Sequence, residues 1–231
     1  MYRRYAPILG PALLSLLIVC CTRAGAEEKT TTAPLTDISI LGPASDAIIR
    51  IVNQGIMTPL SPGVFGPLDN TTRRQFVVAV QRLFRLTPAQ NQPLFHDVPS
   101  TDPDLGAINS VAPFMQRQAF CPGCALNNEF RPEAPISVTA EAVTLTSILN
   151  SRHQIELTNA SDAASMLAPA SDLSQLAAPA QVFVATAVRN GIVSIDDLMA
   201  RNAAPIATRA ATAVMLDTIQ QRFKIPNLPQ P

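Results

Sequence analysis

The side chains with the clearest chemical options are two cysteines and two arginines. Cys121-Pro122-Gly123-Cys124 sets two thiols three residues apart. A thiol-disulfide exchange centre needs a low-pKa thiolate at a helix N-terminus, following a strand in a βαβ setting. Here the motif follows a segment with helical spacing and precedes Asn127-Asn128-Glu129-Phe130, a loop-like stretch. That context favours a structural disulfide closing a small loop in an oxidising compartment. A zinc site wants four ligands, and no second usable cysteine pair exists, so no metal or cofactor is expected. His96 and His153 stand far apart, and no pair of acids is marked out for glycoside hydrolysis. Arg73 and Arg209 each follow a threonine, Thr72 and Thr208, at the start of a helical pattern. A guanidinium there adds its charge to the positive end of the helix dipole and to unpaired N–H groups, which suits a carboxylate or phosphate. The same arginines could equally form ion pairs within the chain, with Asp69 among the candidates.

Composition narrows the setting. The chain has 231 residues, 17 basic and 17 acidic, with a hydrophobic fraction of 47% that supports a packed interior. Its formal charge of zero gives no footprint for nucleic acid. Met1 to Ala26 has the pattern of an export signal. Arg3 and Arg4 open it, Ile8 to Cys21 form a 14-residue apolar run, and Ala24-Gly25-Ala26 supplies small residues for cleavage. The run is shorter than the about 20 residues a membrane helix needs. Lipoprotein processing at Cys20 is the alternative, which bulky Val19 fits poorly. Cleavage after Ala26 removes three arginines and no acids, leaving 14 basic against 17 acidic side chains, a net charge of −3. The mature protein is then expected outside the cytoplasm, in the periplasm or at the wall surface, with residues 27–33 as a flexible tether.

The elements that must position the arginines recur along the chain. Asp37-Ile38, Asp97-Val98 and Asp172-Leu173 each stand ten residues before an apolar pair that opens a helical stretch. These aspartates are expected to cap their adjacent turn or helix. The first and third stretches end in Gly55-Ile56 and Gly191-Ile192, where glycine suits a left-handed cap. Phe65-Gly66-Pro67 and Phe130-Arg131-Pro132 follow, 65 residues apart, with Phe65 and Phe130 expected as core plugs. Eight residues after each phenylalanine come Arg73 and Val138, and Arg209 takes the third place. Thr72, Ser137 and Thr208 precede them as helix N-caps. The pattern predicts an all-α chain of three helix-loop-helix units, at 34–90, 91–155 and 156–224, with an extra short element between 151 and 170. An extended tail occupies 225–231.

These residues resemble the S-layer homology (SLH) repeat. Its Phe-x-Asp-Val-Pro opening is seen as Phe95-His96-Asp97-Val98-Pro99, its Gly-Ile helix end at 55–56 and 191–192, and its Phe-x-Pro turn at 65–67 and 130–132. Its Thr-Arg-Ala-Glu-like helix start is seen as Thr72-Arg73-Arg74-Gln75 and Thr208-Arg209-Ala210-Ala211. The resemblance implies three tandem SLH repeats forming a pseudo-threefold helical bundle that binds cell-wall polysaccharide or peptidoglycan. Thr72, Arg73, Gln75, Thr208 and Arg209 would then be the ligand-binding residues. The chain departs from the family where Val138 replaces the arginine, where Gln75, Ala140 and Ala211 replace the glutamate, and in having no tryptophan.

The leading expectation is an exported, non-enzymatic envelope module. Other envelope proteins are possible partners, and neither nucleic acid nor a membrane span in the mature chain is expected. The alternative is a degenerate periplasmic scaffold whose apolar grooves hold another protein. A thiol oxidoreductase using Cys121 and Cys124 is the enzyme-class reading.

Overall fold

Local signals in the sequence set where the helices begin and end. A computed structural model describes residues 34–89, 93–115, 129–170, 173, 176–199 and 205–227. The expected leader, the tether, Asp172, Cys121 and Cys124 all lie outside these residues, as does the tail beyond 227. The described residues are all-α: eight α-helices, two 3₁₀ turns and isolated backbone bridges. The helices are α1 (Pro43–Asn53), α2 (Arg73–Phe84), α3 (Leu105–Val111), α4 (Val138–Ser151), α5 (Ala160–Leu167), α6 (Ala178–Arg189), α7 (Ile195–Met199) and α8 (Arg209–Arg222). The 3₁₀ turns are Ser39–Leu41 and Ala112–Phe114. Among the described residues no helix is long and apolar enough to cross a membrane.

Thr72, Ser137 and Thr208 each accept the N–H three residues on, from Gln75, Ala140 and Ala211, which satisfies one of the unpaired donors at the starts of α2, α4 and α8. At α2 the Gln75 side chain returns the bond to the Thr72 N–H, completing a capping box. Gly55 and Gly191 adopt φ of 67° and 61° just past α1 and α6, which ends both helices with a backbone that glycine takes at no steric cost. Helix α5, capped by Asn159, falls within the stretch where an extra element is expected, and it packs on α6.

The three capped starts are joined to one another. The Thr71 N–H donates to Ala207 O (2.9 Å), the Ala207 N–H to Ile136 O (2.8 Å), and the Ile136 N–H to Thr71 O (3.0 Å), a closed ring of three residues far apart in sequence. Helix pairing follows the same cyclic order: α3 packs on α2, α6 on α4, and α1 on α8. The last of these joins the two ends of the described chain. Arg50 on α1 grips the Asp217 carboxylate on α8 through two bonds of 2.8 and 2.7 Å, with Gln220 donating to Gln54 beside it. One continuous apolar cluster runs through all these contacts, with Ile48, Ile51, Phe65, Phe76, Val80, Ile108, Phe130, Leu145, Val184 and Leu216 fully buried.

Asp37 and Asp97 do something other than cap adjacent structure. Asp37 accepts the N–H groups of Phe65 (3.0 Å) and Gly66 (2.7 Å), and Asp97 those of Phe130 (2.7 Å) and Arg131 (2.6 Å), each about thirty residues away. The reason is conformational. Gly66 and Arg131 adopt φ of 70° and 55°, and the turn they form aims two successive amides at one point, where a carboxylate satisfies both. Burial opposes the charge on Asp37, but the two amides, its own N–H and the charge of Arg209 together hold its pKa below the usual range.

Candidate functional site

The two arginines at helix starts share one arrangement. The Arg209 guanidinium lies 4.6 Å over the ring of Phe65; its Nε donates to Phe65 O (2.8 Å) and an Nη to Thr58 O (2.7 Å). Arg73 lies 5.0 Å over Phe130, and its Nε donates to Phe130 O (2.6 Å). Phe65 and Phe130 are themselves fully buried, as core plugs should be. Arg209 is only 2% exposed, and burial pushes its pKa down from the ordinary arginine value against the opposing pull of Asp69 and Asp37. Arg73 is shifted down for the same reason, with Asp97 opposing. Both guanidinium groups donate to backbone carbonyls, and each arginine fastens a helix start to a Phe-x-Pro turn.

A groove of about 230 Å³ opens beside Arg209, between the turn that follows α1 and the outer face of α2. Ile56 and Thr58 form one wall, Gln75, Val78 and Arg82 the other, with Arg74 and Asp104 at the rim. Of the residues singled out from sequence, the groove brings together Gln75 and Arg209. Thr72 and Arg73 stand outside its lining, and Thr208 belongs to a second groove described below.

The groove's electrostatics are uneven. Arg74 is surrounded by acids: both Asp102 oxygens (2.8 and 3.0 Å), Asp104 (3.0 Å) and Glu133 (2.8 Å). Asp102 above all, with Glu133 and Asp104, raises the Arg74 pKa despite partial burial, and the bond from Arg74 in turn lowers that of Asp102. Its charge is consumed internally. Arg82 donates to Gly55 O (3.0 Å) and keeps a partly exposed head group in the groove. Sequence reasoning missed Arg74 and Arg82. The signal was present: Arg74, Val78 and Arg82 recur every fourth residue, which lines one face of a helix, opposite the buried Phe76 and Val80.

The equivalent position on α8 is apolar. A groove of about 690 Å³ is lined by Val138, Ile192, Val193, Thr208, Ala211 and Val214 among others. Ala210, Ala211 and Val214 stand where α2 has Arg74, Gln75 and Val78, so a shared backbone plan carries contrasting surfaces. Among the described residues, no group of three or more His, Cys, Asp or Glu side chains is placed to hold a metal. Cys121 and Cys124, with the disulfide and thiol-exchange readings, fall outside the described residues.

No curated protein matches the chain. Residues 34–77 do match a family model: they contain Asp37, α1, the Phe65-Gly66-Pro67 turn and the capped start of α2 with Thr72, Arg73 and Gln75, and over that span the chain is similar to the S-layer homology domain.

Proposed function

We propose that this is an exported, non-enzymatic cell-envelope module that holds a cell-wall polysaccharide or peptidoglycan in the groove between the end of α1 and the face of α2. SLH domains generally bind wall polymers in surface proteins, and the match at 34–77 supplies much of that groove's lining. That coincidence carries the proposal. The cyclic order of capped starts, hydrogen bonds and helix pairs supports reading the whole described chain as three tandem SLH-type units, two of them diverged beyond the family model.

In this reading the ligand-binding roles divide. Thr72 and Gln75 fix the helix start, and Thr208 does the same for α8. Arg73 and Arg209 fasten the helix starts to the Phe-x-Pro turns, and Arg209 also lines the groove. Arg82 offers the charge that meets an anionic group on the polymer. With a mature net charge of −3, attraction to an anionic wall has to be local, and Arg82 is where it is available.

The test is co-sedimentation of the mature chain with purified sacculi. Arg82→Ala should weaken retention several-fold while leaving the thermal midpoint near that of the parent. Undiminished retention would remove Arg82 from the site, and no retention of the parent protein would remove the wall-binding reading.

One observation favours a second reading, a periplasmic scaffold for another protein: the groove on α8 is apolar and the larger of the two. Under that reading Val214→Asp abolishes capture of an envelope protein by cross-linking, and sacculi retain neither form.

A further inference from the structure

Glu141 sits four residues past the Ser137 cap in the first turn of α4, and it is completely buried. Phe76 on α2 and Thr212 on α8 hold the corresponding positions past Thr72 and Thr208, and both are also fully buried. Where α2 places an aromatic ring, α4 places a carboxyl group. The Thr212 hydroxyl lies 2.7 Å from Glu141 Oε1 and 2.7 Å from the Thr71 hydroxyl. Thr71 is a member of the hydrogen-bonded ring that joins the three helix starts. Glu141 Oε2 has no hydrogen-bond partner.

This is a poor site for an anion. A buried carboxylate is tolerated when a cation or several N–H groups meet it, and here a single hydroxyl does. α4 carries no other ionisable residue, and the Ala112–Phe114 turn packed on it has none. On the surrounding helices the charged groups are engaged elsewhere. Arg73 and Arg209 donate to carbonyls, Asp217 accepts from Arg50, Arg189 of α6 donates to Glu156 O, and Asp197 of α7 accepts from Ser194. Among the described residues, no cation pairs with Glu141.

We propose that Glu141 is kept protonated at neutral pH and serves as a proton-dependent lock on the junction of the three helix starts, which loosens when the carboxyl ionises. As a neutral acid it can donate to Thr212, leaving one carbonyl-type oxygen unpaired; as an anion it leaves a buried charge facing apolar atoms. Burial pushes its pKa up to about 8, against the opposing bond of the Thr212 hydroxyl. The folded value lies above the unfolded one, so the stabilising contribution is complete below the unfolded value of 4.5. It is lost as pH rises towards about 8, because across that window the native state holds a proton that the unfolded chain releases.

The test compares thermal unfolding of the full chain and of Glu141→Gln from pH 5 to pH 9. The parent's Tm should fall relative to the variant's by roughly 5–10 °C across the range. In selectively ¹³C-labelled parent protein, the Glu141 carboxyl carbon should titrate near pH 8. Parallel Tm profiles, or a carboxyl that titrates in the ordinary range for glutamate, would overturn the proposal. If Glu141→Gln does not fold, the carbon titration on the parent decides alone.

Discussion

Arg209 and Phe65 form a pair, as do Arg73 and Phe130, and the third pair has changed at both members. Val138 stands in place of the arginine, and in the sequence Arg201 lies six residues before Ala207, where phenylalanine lies six residues before Thr71 and Ile136. An arginine lodged on a ring and on carbonyls is chosen for shape, with charge secondary: the planar fork meets two acceptors while its face covers an aromatic. Arg209→Ala removes two charge-assisted bonds to buried carbonyls and leaves those acceptors dry, so it should lower unfolding free energy by about 3 kcal/mol in urea titration. Arg209→Lys should recover less than half, since a point charge cannot serve both acceptors. Gly66 shows a second kind of residue constraint. Its φ is 70°, and a Cβ there would meet Asp69 Oδ2 at 2.4 Å and a Leu60 methyl at 2.5 Å. Gly66→Ala should cost at least about 1 kcal/mol, read as a lower urea midpoint with an unchanged slope. Of these constraints the sequence shows only the residue types. That Arg209 faces Phe65, 144 positions earlier, is a product of chain closure and has no local trace.

At the scale of elements, the legible part was what lies within four residues of a helix end. Thr72, Ser137 and Thr208 cap their helices because a hydroxyl and an N–H three residues on are neighbours in any helix start, whatever the fold. The glycines past α1 and α6 were visible for the same reason. Asp37 and Asp97 were misplaced because their partners lie beyond local range: they serve turns about thirty residues on, and a capping residue's identity does not say which amide it meets. The capped starts also bear unequal loads. Thr72 has a reciprocal glutamine, whereas Thr208 caps α8 with its hydroxyl alone. Thr208→Ala should therefore cost about 1 kcal/mol. Thr72→Ala should cost more, because Gln75 then holds the Thr72 N–H without a return bond; thermal melts of the two variants side by side measure the difference.

Among the described residues α2 pairs with α3, α4 with α6 and α8 with α1, so α1 finds its partner only at the far end of the sequence. The segment that matches the family model thus contains α1 and the start of α2 but neither α8, which covers α1, nor α3, which covers α2. An isolated fragment of residues 34–90 should show little helical circular dichroism, while residues 34–227 should unfold in one cooperative step. Helical signal in the fragment comparable to its share of the full chain would contradict this. The closed ring of Thr71, Ile136 and Ala207 has a further consequence, for how such a chain can change over generations. Each member both gives and receives one backbone bond, so no capped helix start can be lost singly without leaving a donor and an acceptor open. The number of starts is locked, whereas the residues each displays on its outer surface are free to drift. A lineage can thus turn one groove from basic to oily, as α2 and α8 differ, without disturbing the frame that holds both.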